Sequence, residues 1–235
     1  MLTALWRTLV LSDPFDACVW AATSCAFFGL MRFGKVAVRT RAAFSPVLHL
    51  CRQHVTFGKD DHGKPYAKLF LPSAKTAAAG KVQTVYLVEQ GDNCPLAALR
   101  NLAAVVPAGA DDPLFSWRDR HGATRPLLRD AAVERINAIL MAWGWGTIFG
   151  HLFRIGGASF FLSRGVSPEI VRLAGRWKSL AYETYIRAFE QVASLHLAHA
   201  ESSSHSRSLP APAASSAVGL APGLSPQSAL QLHHG

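Results

Sequence analysis

Between Leu48 and Val88 the apolar residues stop recurring every three or four positions and begin to alternate. The runs "LHLCRQHVTF", "YAKLFL" and "VQTVYLV" are short and rich in β-branched and aromatic residues. They are separated by "GKDDHGKP" and "PSAKTAAAGK", whose Gly, Pro and Asp content marks turns. Such a block predicts a three-stranded antiparallel meander with two exposed turns. On both sides of it the spacing is helical. "MLTALWRTLVLSDPFDACVWAATSCAFFGLMRFG" predicts two helices, with Ser12-Asp13-Pro14 supplying the cap and the first-turn proline of the second. That second helix is expected to run to about Arg32 and end at Gly34. "CPLAALRNLAAVV" and "LLRDAAVERINAILMAWGW" continue the helical period, two or three further helices follow Gly150, and "IRAFEQVASLHLAHA" closes the series. The fold class is therefore α+β: mainly α, with one small antiparallel three-stranded β-sheet.

Half of the 235 residues are hydrophobic and only 17% are charged, so most of the chain has the apolar content for a packed core. From Glu201 on, the composition collapses to Ser, Pro, Ala, Gly and His. The expectation is one domain over residues 1–200 and a disordered tail over 201–235. The formal charge of +9 falls on the domain, because Glu201 and Arg207 are the only charged residues beyond Ala200 and they cancel. A basic domain favours a polyanionic partner, nucleic acid or an acidic membrane. Ala17 to Met31 is a run of 15 residues without charge, short of the roughly 20 that span a bilayer. It reads as a buried helix, and no signal-peptide pattern precedes it. The cysteines, Cys18, Cys25, Cys51 and Cys94, form no C-x-x-C and no zinc spacing. Cys18 and Cys25 in an apolar stretch suit buried free thiols and a reducing compartment.

The stretch "GHLFRIGGASFFLSRGVSPEIVRLAGRWKSLAYETYIR", from Gly150 to Arg187, carries the chemistry. His151 and Arg154 are three apart on a helix and so share a face. Trp177 follows Arg154 by 23 residues and Tyr185 follows Trp177 by 8. This pattern resembles the tyrosine recombinases, the phage-integrase family. Gly-Arg-Trp and Tyr-Ile-Arg look most like the recombinases of Crypton and DIRS mobile elements. "FFGLMRFGKVAV" resembles the segment with the family's first Arg, here Arg32. "LPSAKTAAAGKVQTVYL" resembles its lysine hairpin, here Lys75, with Lys81 in the same turn as the fallback. The resemblance covers roughly residues 1–200 and implies the DNA breaking-rejoining catalytic-domain fold.

That resemblance also implies a mechanism. Attack on a phosphodiester builds negative charge on non-bridging oxygens, which two guanidiniums, Arg32 and Arg154, would clamp bidentately. His151 would donate or shuttle a proton. Tyr185 would be the nucleophile, preferred over Tyr182 because it precedes Ile-Arg, and Lys75 the acid for the departing 5′ oxygen. Trp177 would donate to the phosphate or buttress Tyr185. Arg176, nine before Tyr185, competes for that position. The 3′-phosphotyrosyl bond would store the phosphodiester energy, so no metal, ATP or other cofactor is called for. Lys64, Lys68, Arg172, Arg176 and Lys178 are candidates for the DNA backbone.

Two departures stand out. Many relatives carry an acidic residue three after the first Arg, where this chain has Lys35. Relatives also carry a separate N-terminal helical domain, whereas this chain begins near the first catalytic-domain helix. The leading expectation is a site-specific recombinase or integrase acting on double-stranded DNA. The alternatives are a catalytically impaired DNA-binding remnant of a mobile element and a type IB topoisomerase-like enzyme. The helix after Tyr185 is expected to dock on a neighbouring protomer, giving a tetramer on DNA. Such a protein belongs in the nucleus of a eukaryote, or otherwise in the cytoplasm and nucleoid. Binding carried by phosphate contacts releases counterions. Duplex affinity is therefore expected to fall about 10³-fold or more between 50 and 200 mM salt if roughly six phosphates are contacted; a flat titration would exclude a DNA clamp.

Overall fold

The described residues of the computed structural model are 1–72, 83–148 and 150–177. Its centre is helix α2, Pro14–Phe28, preceded by the short α1, Leu2–Thr8. Asp13 caps α2, its side chain accepting from the backbone N–H groups of Phe15 and Asp16, with Pro14 in the first turn as its fixed φ allows. Every residue from Asp16 to Phe28 is buried. That explains the uncharged run: α2 has no solvent face and packs on several neighbours at once. No helix among the described residues is long and apolar enough to cross a membrane.

The meander forms as the alternation requires. Strands β1 (Val55–Lys59), β2 (Pro65–Leu71) and β3 (Gln83–Val88) pair antiparallel in the order β1-β2-β3. Ala67, Leu69, Leu71, Val85 and Leu87 point into the core. Tyr66, Lys68 and Tyr86 lie on the opposite face, the Lys68 ammonium 5.1 and 5.4 Å from the two ring centres. The first strand is shorter than its run suggests. Residues 52–54 form a 3₁₀ turn, and pairing starts only at Val55.

Helix α3 (Pro95–Val105) packs along α2. A small hairpin, β4 (Ser116–Arg118) with β5 (Thr124–Pro126), then appears where the sequence reading anticipated no strand. Three residues per strand are too few to show a period. Helix α4 (Arg129–Ala142) is tied to α2 by Arg135, which grips Asp16 through Nε (2.9 Å) and Nη2 (2.8 Å). Burial alone would raise the Asp16 carboxyl. The Arg135 hydrogen bond, the Val10 N–H and the Arg135 charge outweigh burial and hold it below its ordinary value. Two more helices, α5 (Leu152–Ser163) and α6 (Pro168–Gly175), follow. All four cysteines are free and buried, and burial pushes the Cys18 and Cys25 thiols far up. The expected final helix and the 201–235 tail lie outside the described residues.

The end of α2 corrects the sequence expectation. The helix stops at Phe28, not near Arg32 or Gly34. Met31 N–H bonds to Ala26 O at 2.8 Å and Leu30 N–H to Phe27 O at 3.2 Å, a Schellman closure with Leu30 in the left-handed position at φ 49°. A non-glycine there costs about 1–2 kcal/mol. Burial of the Leu30 side chain beside Ala158, Val171 and Trp177 offsets it. Gly34 lies in a 3₁₀ turn, Phe33–Lys35, with open space around it.

The glycines that matter are elsewhere. Gly157 of α5 sits against the last turn of α2, where an added Cβ would lie 2.0 Å from the Phe27 carbonyl oxygen. Gly157→Ala is expected to destabilise by about 1–3 kcal/mol or more, whereas Gly34→Ala should stay within about 0.5 kcal/mol. Urea unfolding checks both, and equal midpoints would refute the close helix contact.

Candidate active site

The α2–α5 contact brings two distant motifs side by side. Arg32 follows the Schellman turn of α2 and leads into the Phe33–Lys35 turn. Phe33 stacks on Phe153 with ring centres 5.3 Å apart and planes at 27°. Gly150 presses on Phe33 as well; a Cβ there would fall 2.7 Å from the Phe33 Cβ. Residues adjoining Arg32 therefore touch residues adjoining His151 and Arg154, although more than a hundred positions separate them. The chain approaches His151 through a loop pinned to α4. Asn137 donates to Ile148 O (3.2 Å) and accepts from Ile148 N–H (2.7 Å), which fixes that approach. Asn137 was not singled out in the sequence. A polar residue on a half-apolar helix carries no signal of its loop partner.

Arg32 and His151 are exposed, and Arg154 is buried. Among the described residues the exposed Arg32 side chain makes no hydrogen bond or ion pair. His151 does not lie within the helix as its spacing suggested. It is the residue before Leu152, and its carbonyl accepts from Ile155 N–H. His151 and Arg154 thus differ in environment: one at the open helix start, the other one turn inside.

Arg154 is held from two sides. Its Nη2 donates to Gly175 O at 2.6 Å, and its Cζ lies 4.3 Å from the centre of a Trp177 ring. Charge-assisted bonding and a desolvated cation–π stack fix the plane of the guanidinium. Trp177 is itself buried, next to Leu30, Ala158 and Val171. Gly175 makes the stack possible, because a Cβ on it would come within 1.7 Å of the indole.

The competing residue, Arg176, turns the other way. It adopts the left-handed conformation at φ 58° and ψ 39° at the end of α6. Its guanidinium donates to Ala174 O (2.8 Å), Gly29 O (3.1 Å) and Leu30 O (3.2 Å). Burial, and then the neighbouring Arg154 charge, push it down to about 10. Arg172 is engaged at the surface, with both Glu169 oxygens in an exposed pair and with Trp177 O at 3.3 Å. Both backbone candidates thus have donors engaged with protein oxygens. Lys64, exposed in the β1–β2 turn, and Lys68, between its tyrosines, remain on the surface side of the sheet. Lys75, Lys81, Lys178, Tyr182 and Tyr185 lie outside the described residues.

Solved structures give this fold a parallel. The XerH site-specific recombinase bound to difH substrate, in a pre-cleavage complex, is 16% identical, with 82% of this chain and 50% of that chain covered and a TM-score of 0.53. The same recombinase bound to palindromic difH substrate, in a post-cleavage complex, is also 16% identical, with 86% and 50% covered and a TM-score of 0.54. The fold is that of a tyrosine recombinase catalytic domain. The chain spans about half the length of these recombinase chains. No family model matches the sequence, and no curated protein matches it.

Within this recombinase fold the Trp177–Arg154 stack depends on a missing side chain at Gly175. Gly175→Ala is expected to displace the indole and to cost about 2 kcal/mol, the worth of a desolvated cation–π pair. In a double-mutant cycle measured by chemical unfolding, Gly175→Ala should add little to Trp177→Ala. Full additivity would show that the two positions do not communicate.

Proposed function

We propose that the chain is the catalytic domain of a site-specific DNA recombinase or integrase, cutting and rejoining strands through a phosphotyrosine. The observation that carries this reading is the junction of Phe33 with Phe153 and Gly150, which joins the Arg32 segment to the His151–Arg154 turn within a recombinase fold. Arg32 offers an exposed side chain, and Arg154 a guanidinium oriented by Trp177. Together they suit a phosphate held at the surface with one side against the protein, and both stay charged at any working pH. The substrates of the two XerH complexes, difH and palindromic difH, support double-stranded DNA as the partner.

In this mechanism the Tyr185 oxygen attacks phosphorus in line with the 5′ oxygen. The P–O5′ bond breaks, the protein keeps the 3′ phosphate as an ester, and Lys75 protonates the departing 5′ oxygen. Arg32 and Arg154 stabilise the charge on the non-bridging oxygens, and His151 moves a proton at the same phosphate. Attack by the freed 5′ hydroxyl of another strand reverses these steps and regenerates Tyr185. The Gly-Arg-Trp and Tyr-Ile-Arg spacing supports a mobile-element origin. The helical spacing of apolar residues in the sequence over 186–197 supports assembly with further copies on DNA.

A nicked duplex that loses its 5′ fragment on cleavage is expected to trap a covalent protein–DNA adduct on denaturing gels. Tyr185→Phe should abolish it and Tyr182→Phe should not. Arg32→Ala and Arg154→Ala should each lower its rate about 10²–10³-fold. Tight duplex binding with no adduct would instead support the DNA-binding remnant, the reading that Lys35 favours.

A further inference from the structure

Helices α2 and α6 end in the same way, and their ends meet. Each closes with a six-to-one bond, Met31 N–H to Ala26 O in α2 and Trp177 N–H to Arg172 O (3.2 Å) in α6. Each places a non-glycine residue, Leu30 or Arg176, in the left-handed conformation that L-residues rarely adopt. A helix C-terminus presents carbonyls without intrahelical partners and the negative end of the helix dipole. Two such ends brought together repel unless a cation lies between them.

The Arg176 guanidinium lies there. It takes one carbonyl from its own helix, Ala174, and two from the end of α2, Gly29 and Leu30. Among the described residues no carboxylate pairs with it, so its charge is balanced by carbonyl dipoles from both helices. Directly after Arg176 comes Trp177, on Arg154; two residues after Leu30 comes Arg32. The guanidinium thus joins the two turns from which these side chains depart.

We propose that Arg176 is a positioning residue, a latch between the ends of α2 and α6 that sets Arg32 in register with the Trp177–Arg154 stack. This rests on the recombinase reading for its consequence, though not for its structure. Arg176 is then not a group that meets the phosphate, even though it stands nine before Tyr185. The role asks for arginine, whose planar fork reaches several carbonyls from a fixed plane. A lysine would bring the charge without the fork.

The test compares the full-length protein with its Arg176→Gln and Arg176→Lys variants in two assays. In hydrogen exchange without DNA, the amides of residues 29–37 are expected to exchange at least tenfold faster in Arg176→Gln and by an intermediate factor in Arg176→Lys. Amides of β2 should be unchanged in Arg176→Lys. On the nicked duplex the adduct rate at saturating DNA should fall tenfold or more in both variants, with the duplex dissociation constant within about twofold of wild type. Unchanged exchange at 29–37 in the Arg176→Lys and Arg176→Gln variants would overturn the latch. So would a large loss of duplex affinity with unchanged exchange, which would make Arg176 a phosphate contact. If the wild-type protein forms no adduct, the recombinase reading fails, and the exchange comparison still decides the latch. Should Arg176→Gln unfold, the Arg176→Lys comparison decides alone.

Discussion

The described structure turns on a backbone-to-backbone approach between α2 and α5. Gly157 lets α5 settle onto the Phe27 carbonyl, and Gly156 accommodates the Phe27 ring, 3.0 Å from where its Cβ would stand. Helices that meet through side chains lie roughly 8–10 Å apart, axis to axis. A glycine contact allows a closer approach. That proximity allows Phe33 to stack on Phe153 and Gly150 to rest on Phe33. The aromatic residues around it, Phe27, Phe28 and Phe160, make edge-to-face contacts that seal the same junction.

Electrostatics constrains the site as much as packing does. Arg154 and Arg176 lie near enough for one charge to depress the other, a costly arrangement in a partly dehydrated place. It is tolerated because carbonyl oxygens face both: Gly175 for Arg154, and Ala174, Gly29 and Leu30 for Arg176. The strain at Leu30 and Arg176 belongs to the same economy of position. Residues held in the left-handed region persist when surroundings over-determine them, and they concentrate at sites where geometry matters.

Some of this was legible in the chain and some was not. The uncharged run around Trp20 announced a buried helix, because a helix stretch without charged positions has no face suited to water. The alternation in "YAKLFL" announced a strand, and the structure turns its Ala67, Leu69 and Leu71 inward. Where α2 ends was misread. Gly34 looked like a stop signal, but the stop is made by Gly29 and by a left-handed Leu30 that only the packing of Trp177 and Val171 explains. The β4–β5 hairpin escaped notice for want of length. For the site, the spacing of His151, Arg154 and Trp177 was visible, whereas Asn137, Gly157 and Gly175 carried no mark of their tasks.

The amino-acid sequence on its own determined the kinds of element, their order and the chemical vocabulary of guanidiniums, imidazole and indole. These follow from periodicity, capping and residue chemistry, which act over a few neighbouring positions. Tertiary structure decided which of two adjacent residues, Arg176 or Trp177, turns toward Arg154 and which toward the end of α2. That choice depends on carbonyls 147 and 146 residues away in the chain. No local pattern encodes such a partner; it exists only once the two helix ends have been brought together.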